Sequence, residues 1–373
     1  MFDRRAVFTP SSRASNLSDL LDSTEIAGLI RDLEALRWTG RRGYPVRALV
    51  GACLAKALYA IPTWTRTAAL VAEHASLREA CGAAPSVYAL YRFAAKLRSR
   101  KPLLDACLDS VAASLRANLP DYGRDVAIDA SDMPAYANGQ RFVSKGGRER
   151  ERFSDPDASW GHRSAISTRR GGGFYGYKLH AAICARTGLP LAVRVESANH
   201  HEALFALPLL DAVRGRGFTP ETCAMDKGYD SRAMHDGCEA RDCRPVIAQI
   251  RARNARTPDD VPACEHGRWT FAGADVTRKR TKWRCPSGEC EPKSIWLKAD
   301  RRNPLIPPET KRWRKLYRGR AAVEREFGRL KHEYGLAPLR VRGLERAVLH
   351  ADLCILARLS TALARTRAMP LPA

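Results

Sequence analysis

A chain of 373 residues with 45% hydrophobic content can bury a sizeable core and is long enough for two or three domains, which excludes a disordered tail or a small cross-linked fold. Lys and Arg number 63 against 40 Asp and Glu, and the net charge of +23 points to a polyanionic partner, nucleic acid being the commonest. A basic surface serving solubility alone would show the same balance.

The amino terminus lacks an apolar run followed by a small-residue cleavage site, and no stretch reaches the roughly 20 apolar residues that span a bilayer. The most apolar segment, around Ala347 to Ala364, is interrupted by His350, Asp352 and Arg358, so a soluble cytoplasmic protein with no membrane partner is expected. The first fifteen or so residues are polar and read as loose. From residue 16 to 119 the pattern is helical. Ile26, Leu29, Ile30, Leu33 and Leu36 repeat at helix spacing behind a Ser23/Thr24 cap and stop at Gly40 to Gly43; a second helix opens near Pro45 and runs to Pro62. Shorter helices follow at about Thr65 to Ala72, Ser76 to Cys81 and Ser86 to Leu97, with Ser76 and Glu79 as a capping-box signal and Gly82 as a stop. Short helix, turn and longer helix outline a helix-turn-helix. Its last member presents Arg92 and Lys96 among other basic residues, placed to track phosphates or, equally, to form a solvated face of a bundle. One more helix, Leu103 to Leu115, precedes the break at Pro120 to Gly123.

After that break the period changes from 3.6 to 2, and residues 124–250 read as a mixed α/β sheet. Asp125-Val126-Ala127-Ile128-Asp129 is a short buried strand ending on a carboxylate, with Asp132 beyond the strand end. A basic stretch from Met133 to Gly173, carrying Lys145, Arg148, Arg150, Arg152, Arg163, Arg169 and Arg170, is too long for an ordinary connection. Gly173 to Cys184 and Pro190 to Ser197 form an antiparallel hairpin through an Arg-Thr-Gly turn. A helix from Glu202 to Val213, a strand ending at Asp226, a helix from Ser231 to Ala240 and a strand from Arg244 complete the sheet. His200, His201 and Glu202 look like a metal cluster at first sight, yet they open a helix, where capping explains them. Residues 251–308 shift to Arg, Lys, Cys, Pro and Trp and read as an insertion, residues 309–342 return to the core, and residues 343–369 are a last amphipathic helix.

Taken as one helix, Tyr317 to Lys331 puts Tyr317, Arg320, Glu324 and Lys331 within an arc of roughly 60°. Phosphodiester chemistry is commonly run by two divalent cations, and Mg²⁺ prefers carboxylates with water and phosphate, so a site needs two or three acids on neighbouring elements. Asp129, Asp226 and Glu324 fit. Asp132, Asp230 and Glu326 are rivals, but the first two lie past strand end and turn, and Glu326 points roughly 200° from Glu324. Lys178 and His180 lie on a strand near these acids without a clear catalytic assignment. Read from residues alone, this is a basic, metal-dependent DNA-processing enzyme, with nuclease and transposition both open.

Four segments together resemble the DDE transposases of bacterial insertion sequences: Ile128-Asp129-Ala130-Ser131, Phe174 to His180, Met225-Asp226-Lys227-Gly228-Tyr229-Asp230, and the spacing Tyr317, Arg320, Glu324, Lys331. The last matches that family's tyrosine-arginine-glutamate-lysine signature at all four positions. The resemblance implies an RNase H-like mixed sheet flanked by helices and an all-helical amino-terminal DNA-binding domain. It implies that Asp129, Asp226 and Glu324 bind Mg²⁺ or Mn²⁺ and catalyse strand cleavage and strand transfer, while Tyr317, Arg320 and Lys331 hold DNA. The implied partners are double-stranded terminal repeats and target DNA, and cutting two ends together implies a dimer on DNA. An RNase H-like nuclease and a catalytically inactive DNA-binding derivative are the alternatives.

Within the insertion, Cys264, His266, Cys285 and Cys290 offer four soft ligands for a structural Zn²⁺, which would fold a segment poor in apolar residues; reduced, metal-free cysteines are the competing reading. Cys238 and Cys243 bracket a helix end and read as core.

Overall fold

The computed structural model describes residues 10–36, 43–143, 147–149, 151–163, 170–250 and 261–368; Gly40, Lys145, Arg150 and Arg169, named above, lie outside the described residues. The described chain opens with α1 (Pro10–Asp22), α2 (Thr24–Ala35), α3 (Val46–Leu58), α4 (Trp64–Glu73), α5 (Ala75–Cys81), α6 (Val87–Ser99) and α7 (Lys101–Asn118). Helix α3 is buried almost all round, as its run of Ala, Val, Leu and Cys requires, and α1, α2, α4, α5 and α6 gather on it. The expectation of a loose start is corrected from Pro10 onward, because Leu17, Leu20 and Leu21 are buried and docking on α3 and α5 stabilises a helix that local pattern alone would not. The capping box at Ser76 is also corrected. Only His74 separates α4 from α5, so it caps both ends and leaves Ser76 inside the first turn. The stop at Gly82 is observed, at φ +79°.

The second half is one mixed sheet of β1 (Asp125–Pro134), β2 (Ser159–Arg163), β3 (Gly172–Cys184), β4 (Pro190–Ser197), β5 (Thr222–Met225) and β6 (Arg244–Ile247). Strand β3 pairs antiparallel with β1 on one edge; on its other edge it takes β2 along its first residues and β4 along its last. Strand β5 runs parallel to β1, and β6 parallel to β5. The path β4–β3–β1–β5–β6, with α8 (Ala203–Gly215) and α9 (Arg232–Glu239) as crossovers, is the RNase H-like arrangement. Two expectations change here. Strand β1 does not end at Asp129 but continues to Pro134, because β3 is long enough to offer partners as far as Gly176, so Asp132 sits inside the ladder opposite Lys178. Gly176 permits that approach: a Cβ there would lie 2.4 Å from the Met133 carbonyl oxygen. The basic stretch before β3 also holds β2, whose side chains alternate too weakly in polarity to announce a strand.

The helix expected from Tyr317 to Lys331 is two, α10 (Lys311–Arg318) and α11 (Ala321–His332). Around the junction the amides reach back three residues, from Arg320 to Tyr317 (3.0 Å) and from Ala322 to Gly319 (2.9 Å), which tightens and redirects the chain. Gly319 fits because a Cβ would stand 2.8 Å from the Leu316 carbonyl oxygen and 3.1 Å from Ala185. Helix α11 packs on β1 and β3, and α12 (Leu344–Ala368) packs on α3, α7 and β4, so the helical half and the sheet share one core. By length and composition α12 could cross a membrane, but most of it is buried in that core. The insertion forms a separate small β unit: the hairpin β7 (Ala263–Cys264) and β8 (Gly267–Arg268), then an antiparallel sheet of β9 (Thr270–Asp275), β10 (Arg280–Arg284) and β11 (Ser294–Lys298). Its core is its own, built on Val261, Trp269, Trp283 and Cys285.

Candidate active site

Parallel pairing sets the first two acids level. Ala127 lies opposite Ala224, and two residues further along each chain come Asp129 and Asp226, the latter just past the carboxyl end of β5. Asp226 caps the 3-10 turn Lys227–Tyr229, its Oδ1 accepting the Gly228 N–H at 2.7 Å. Burial pushes the Asp129 carboxyl up to about 7, the Ala130 N–H (2.8 Å) opposes that rise, and the negative charges of Asp226 and Glu202 add to it. The site is therefore short of positive charge.

Arg320 is the cation that bridges two of the acids. Its Nη1 lies 3.1 Å from Asp129 Oδ2 and its Nη2 2.7 Å from Glu324 Oε1, so one guanidinium bridges the β1 acid and the acid in the first turn of α11. Glu324 itself is exposed. Tyr317 stacks on Trp313, with ring centroids 4.6 Å apart, and Arg320 stands 5.9 Å above the Tyr317 ring. Lys331 points to Asp132, with Nζ 3.1 Å from Oδ1, and Arg163 approaches the same carboxylate at 3.2 Å. Each rival acid thus has structural company. Asp132 lies between two cations, Glu326 is fully buried against Arg358 (2.7 Å) and Arg329 (2.5 Å), and Asp230 is buried, accepting the Ile250 N–H at 2.9 Å beside Arg301.

Glu202 is the acid that sequence reasoning passed over. It stands at the start of α8 but makes no side-chain capping bond; its carboxylate takes Lys178 Nζ at 2.9 Å and lies near enough to act on Asp129. No local signal separates it from a helix cap, since its partner is on another strand. Tyr229 is buried beside these groups with an unpartnered hydroxyl; burial raises its pKa, and Asp129, Glu202 and Asp226 raise it further. His180 is a core residue: burial holds its imidazole at about 3, and its ring lies 4.4 Å from that of Phe205.

On α6, Tyr88 and Tyr91 are exposed and Arg92 lies 5.4 Å over the Tyr88 ring. The same helix contributes Tyr91 and Arg98 to a groove of about 520 Å³, whose other wall holds Tyr136 with Arg340 and Arg342 stacked over it at 5.0 and 5.3 Å. Lys96 is half-buried on α6. In the insertion, the sulfurs of Cys264, Cys285 and Cys290 lie within 4.8 Å of one another. His266, expected as the fourth member, is turned aside, its Nε2 3.4 Å from Glu265 and its Nδ1 3.6 Å from Glu289. Cys238 and Cys243 are buried core residues, as expected.

Residues 123–360 match the family model described as Transposase DDE domain, and residues 2–96 match a second, described as Transposase domain. No curated protein matches the chain. Among solved structures, the chain is similar, at 12% identity and a TM-score of 0.42, to the cryo-EM structure of a piggyBac transposase synaptic complex with hairpin DNA; the match covers 96% of this chain and 77% of that one.

Proposed function

The chain belongs to the transposase DDE domain family, and we propose that it cuts and joins DNA through Asp129, Asp226 and Glu324, as the transposase of a bacterial insertion sequence. The observation that carries this reading is the level placement of Asp129 on β1 and Asp226 just past the end of the neighbouring β5, with Arg320 tying Glu324 to the first of them. The donor set consists of hard carboxylate oxygens, the chemistry that Mg²⁺ or Mn²⁺ takes, and Arg320, which bridges Asp129 and Glu324, holds the place where these acids would close on a cation. Bound there, divalent cations supply Lewis acidity and lower the pKa of water.

In this reading Asp129 and Asp226 hold the cation from the sheet while Glu324 closes the site from α11. Arg320 balances the acids in free protein and can turn its fork of donors to a phosphate when DNA and cation arrive. Tyr317, fixed by its stack on Trp313, and Lys331, beside Asp132, flank the path of the strand. The first step is attack of water on phosphorus with loss of the 3′ oxygen, leaving a 3′ hydroxyl at the element end. In the second, that hydroxyl attacks a target phosphodiester, so a new bond forms as a target bond breaks. The helical half, 16–119, binds duplex DNA, with Arg92 and Lys96 of α6 on phosphates, and a dimer holds the two ends.

The test is a cleavage and joining assay with purified protein, DNA from the flanks of its own reading frame and Mg²⁺, comparing wild type with Glu324→Gln. Cutting at a fixed position plus joining, both lost in the variant while binding persists, supports the proposal. Cutting without joining assigns a nuclease, and binding without cutting assigns an inactive derivative.

A further inference from the structure

We propose that the insertion is a zinc-held module, with Cys264, Cys285 and Cys290 as three ligands and His266 as the fourth. Three sulfurs gathered within 4.8 Å exceed what a disulfide can use, since one bond would leave the third thiol stranded beside it. The spacing also suits a metal. With zinc–sulfur bonds of about 2.3 Å, the edge of a tetrahedron is about 3.8 Å, and Cys264 Sγ stands 3.7 Å from Cys285 Sγ.

The chain is shaped to bring these residues together. Gly288, at φ +78°, reverses the loop between Cys285 and Cys290, and the Glu289 N–H is tied to Ser287 Oγ at 3.2 Å. Gly267, at φ +110°, turns the hairpin that carries Cys264 and His266. The imidazole of His266 rests against Glu289, the residue before Cys290, which keeps it on the hairpin beside the loop that carries two of the sulfurs. A metal here would pin the β7–β8 hairpin to the loop joining β10 and β11.

Energetics give an independent reason for such a pin. The unit's buried hydrophobic core consists of Val261, Trp269, Trp283 and Cys285, and it is separate from the main core. Units below about 40 residues seldom fold on so little without a metal or disulfide. Closed four-ligand zinc sites of this donor type stabilise folds rather than catalyse. The module's site therefore works independently of the Asp129 site, and its test does not depend on DNA cleavage.

The experiment is metal analysis of the full chain purified from zinc-supplemented cells, followed by exchange with Co²⁺ and absorption spectroscopy. One zinc per chain is expected, with sulfur-to-cobalt charge-transfer bands and intense tetrahedral d–d bands. Cys285→Ser should abolish stoichiometric metal; should that variant fail to fold, thiol modification of wild type serves, with three cysteines reacting only after a chelator is added. His266→Ala should keep the sulfur bands and alter the d–d bands. Metal-free wild type, or modification of these thiols at the same rate with and without chelator, overturns the site. An unaltered spectrum in His266→Ala overturns the fourth ligand.

Discussion

Helix α11 carries Glu324 and Glu326 two residues apart, and the two carboxylates live under opposite conditions. Glu326 is fully buried, with Arg358 at 2.7 Å on one oxygen and Arg329 at 2.5 Å on the other, so its charge is spent on locking α11 to α12. Glu324 is 57% exposed and shares the Arg320 guanidinium with Asp129. The interior face therefore settles its charges in complete pairs. The outer face keeps acids in excess, with one arginine spread over two of them, and under the proposed function that negative charge is what a divalent cation would neutralise before a phosphate could approach.

The largest break of this contrast should come from Glu326→Ala. It leaves Arg358 buried without its carboxylate, which costs about 3–5 kcal/mol for a broken buried pair. Denaturant unfolding should show that loss in midpoint, with Mg²⁺ making no difference; an unfolding curve like that of wild type would mean the pair is not structural. Glu324→Gln should do the reverse. Stability should stay near wild type, whereas strand cleavage falls by at least roughly 10²-fold, the scale for removing one preorganised electrostatic group.

Glu202→Gln sharpens the comparison by asking how far the excess of acid extends. Its carboxylate is held by Lys178 and acts on Asp129 through space, so its removal is expected to raise the Mg²⁺ concentration needed for half-maximal cleavage by about 10–100-fold, as for groups that support a metal site. A Mg²⁺ titration of cleavage rate measures this. A loss greater than that of Glu324→Gln would make Glu202 the third acid of the site.

The interior face makes a pH prediction. His350 is buried with Nδ1 3.3 Å from Lys56 Nζ and Nε2 3.0 Å from the Gly335 carbonyl oxygen, and burial together with the Lys56 charge holds its pKa at about 3. A group with a depressed folded-state pKa contributes stability above its unfolded value and loses it as pH falls toward the folded value. Between pH 6.5 and 3, then, this histidine should erode stability by about 1.4 kcal/mol per pH unit. His350→Gln should flatten that part of the stability profile, and an unchanged slope would assign the acid sensitivity elsewhere.

These contrasts were unequally visible in the residues. Asp129 and Asp226 could be found because each follows a short apolar run, and Glu326 could be set aside because helical periodicity turns it from Glu324. The split between α10 and α11 could not, since Gly319 and Arg320 keep helical dihedrals and the space a Cβ at Gly319 would need, close to Leu316 and Ala185, is set by tertiary packing. Glu202 escaped for a similar reason: its partner Lys178 is 24 residues away on β3, and a glutamate before a helix is read locally as a cap. The gathering of three cysteines across a hairpin and a loop was likewise partly readable, while the placing of His266 against Glu289 depends on side-chain geometry that spacing does not carry.

The smallest effect belongs to α6, far along the chain from the acids. Arg92 lies over the exposed ring of Tyr88, and Lys96 follows one turn later, so both can meet a phosphate backbone without altering the fold. Replacing either with Ala should lower DNA affinity only a few-fold at moderate salt. The more telling quantity is the dependence of affinity on salt, because each phosphate that the protein ceases to neutralise lowers the slope of log K against log salt by about 0.9. Each single variant should show that decrement on both specific and unrelated DNA, with the rate of cleavage from the bound state unchanged. A fall in cleavage of bound DNA instead would place α6 at the reacting strand, and an unchanged salt slope would return these residues to a solvated face of the helical half.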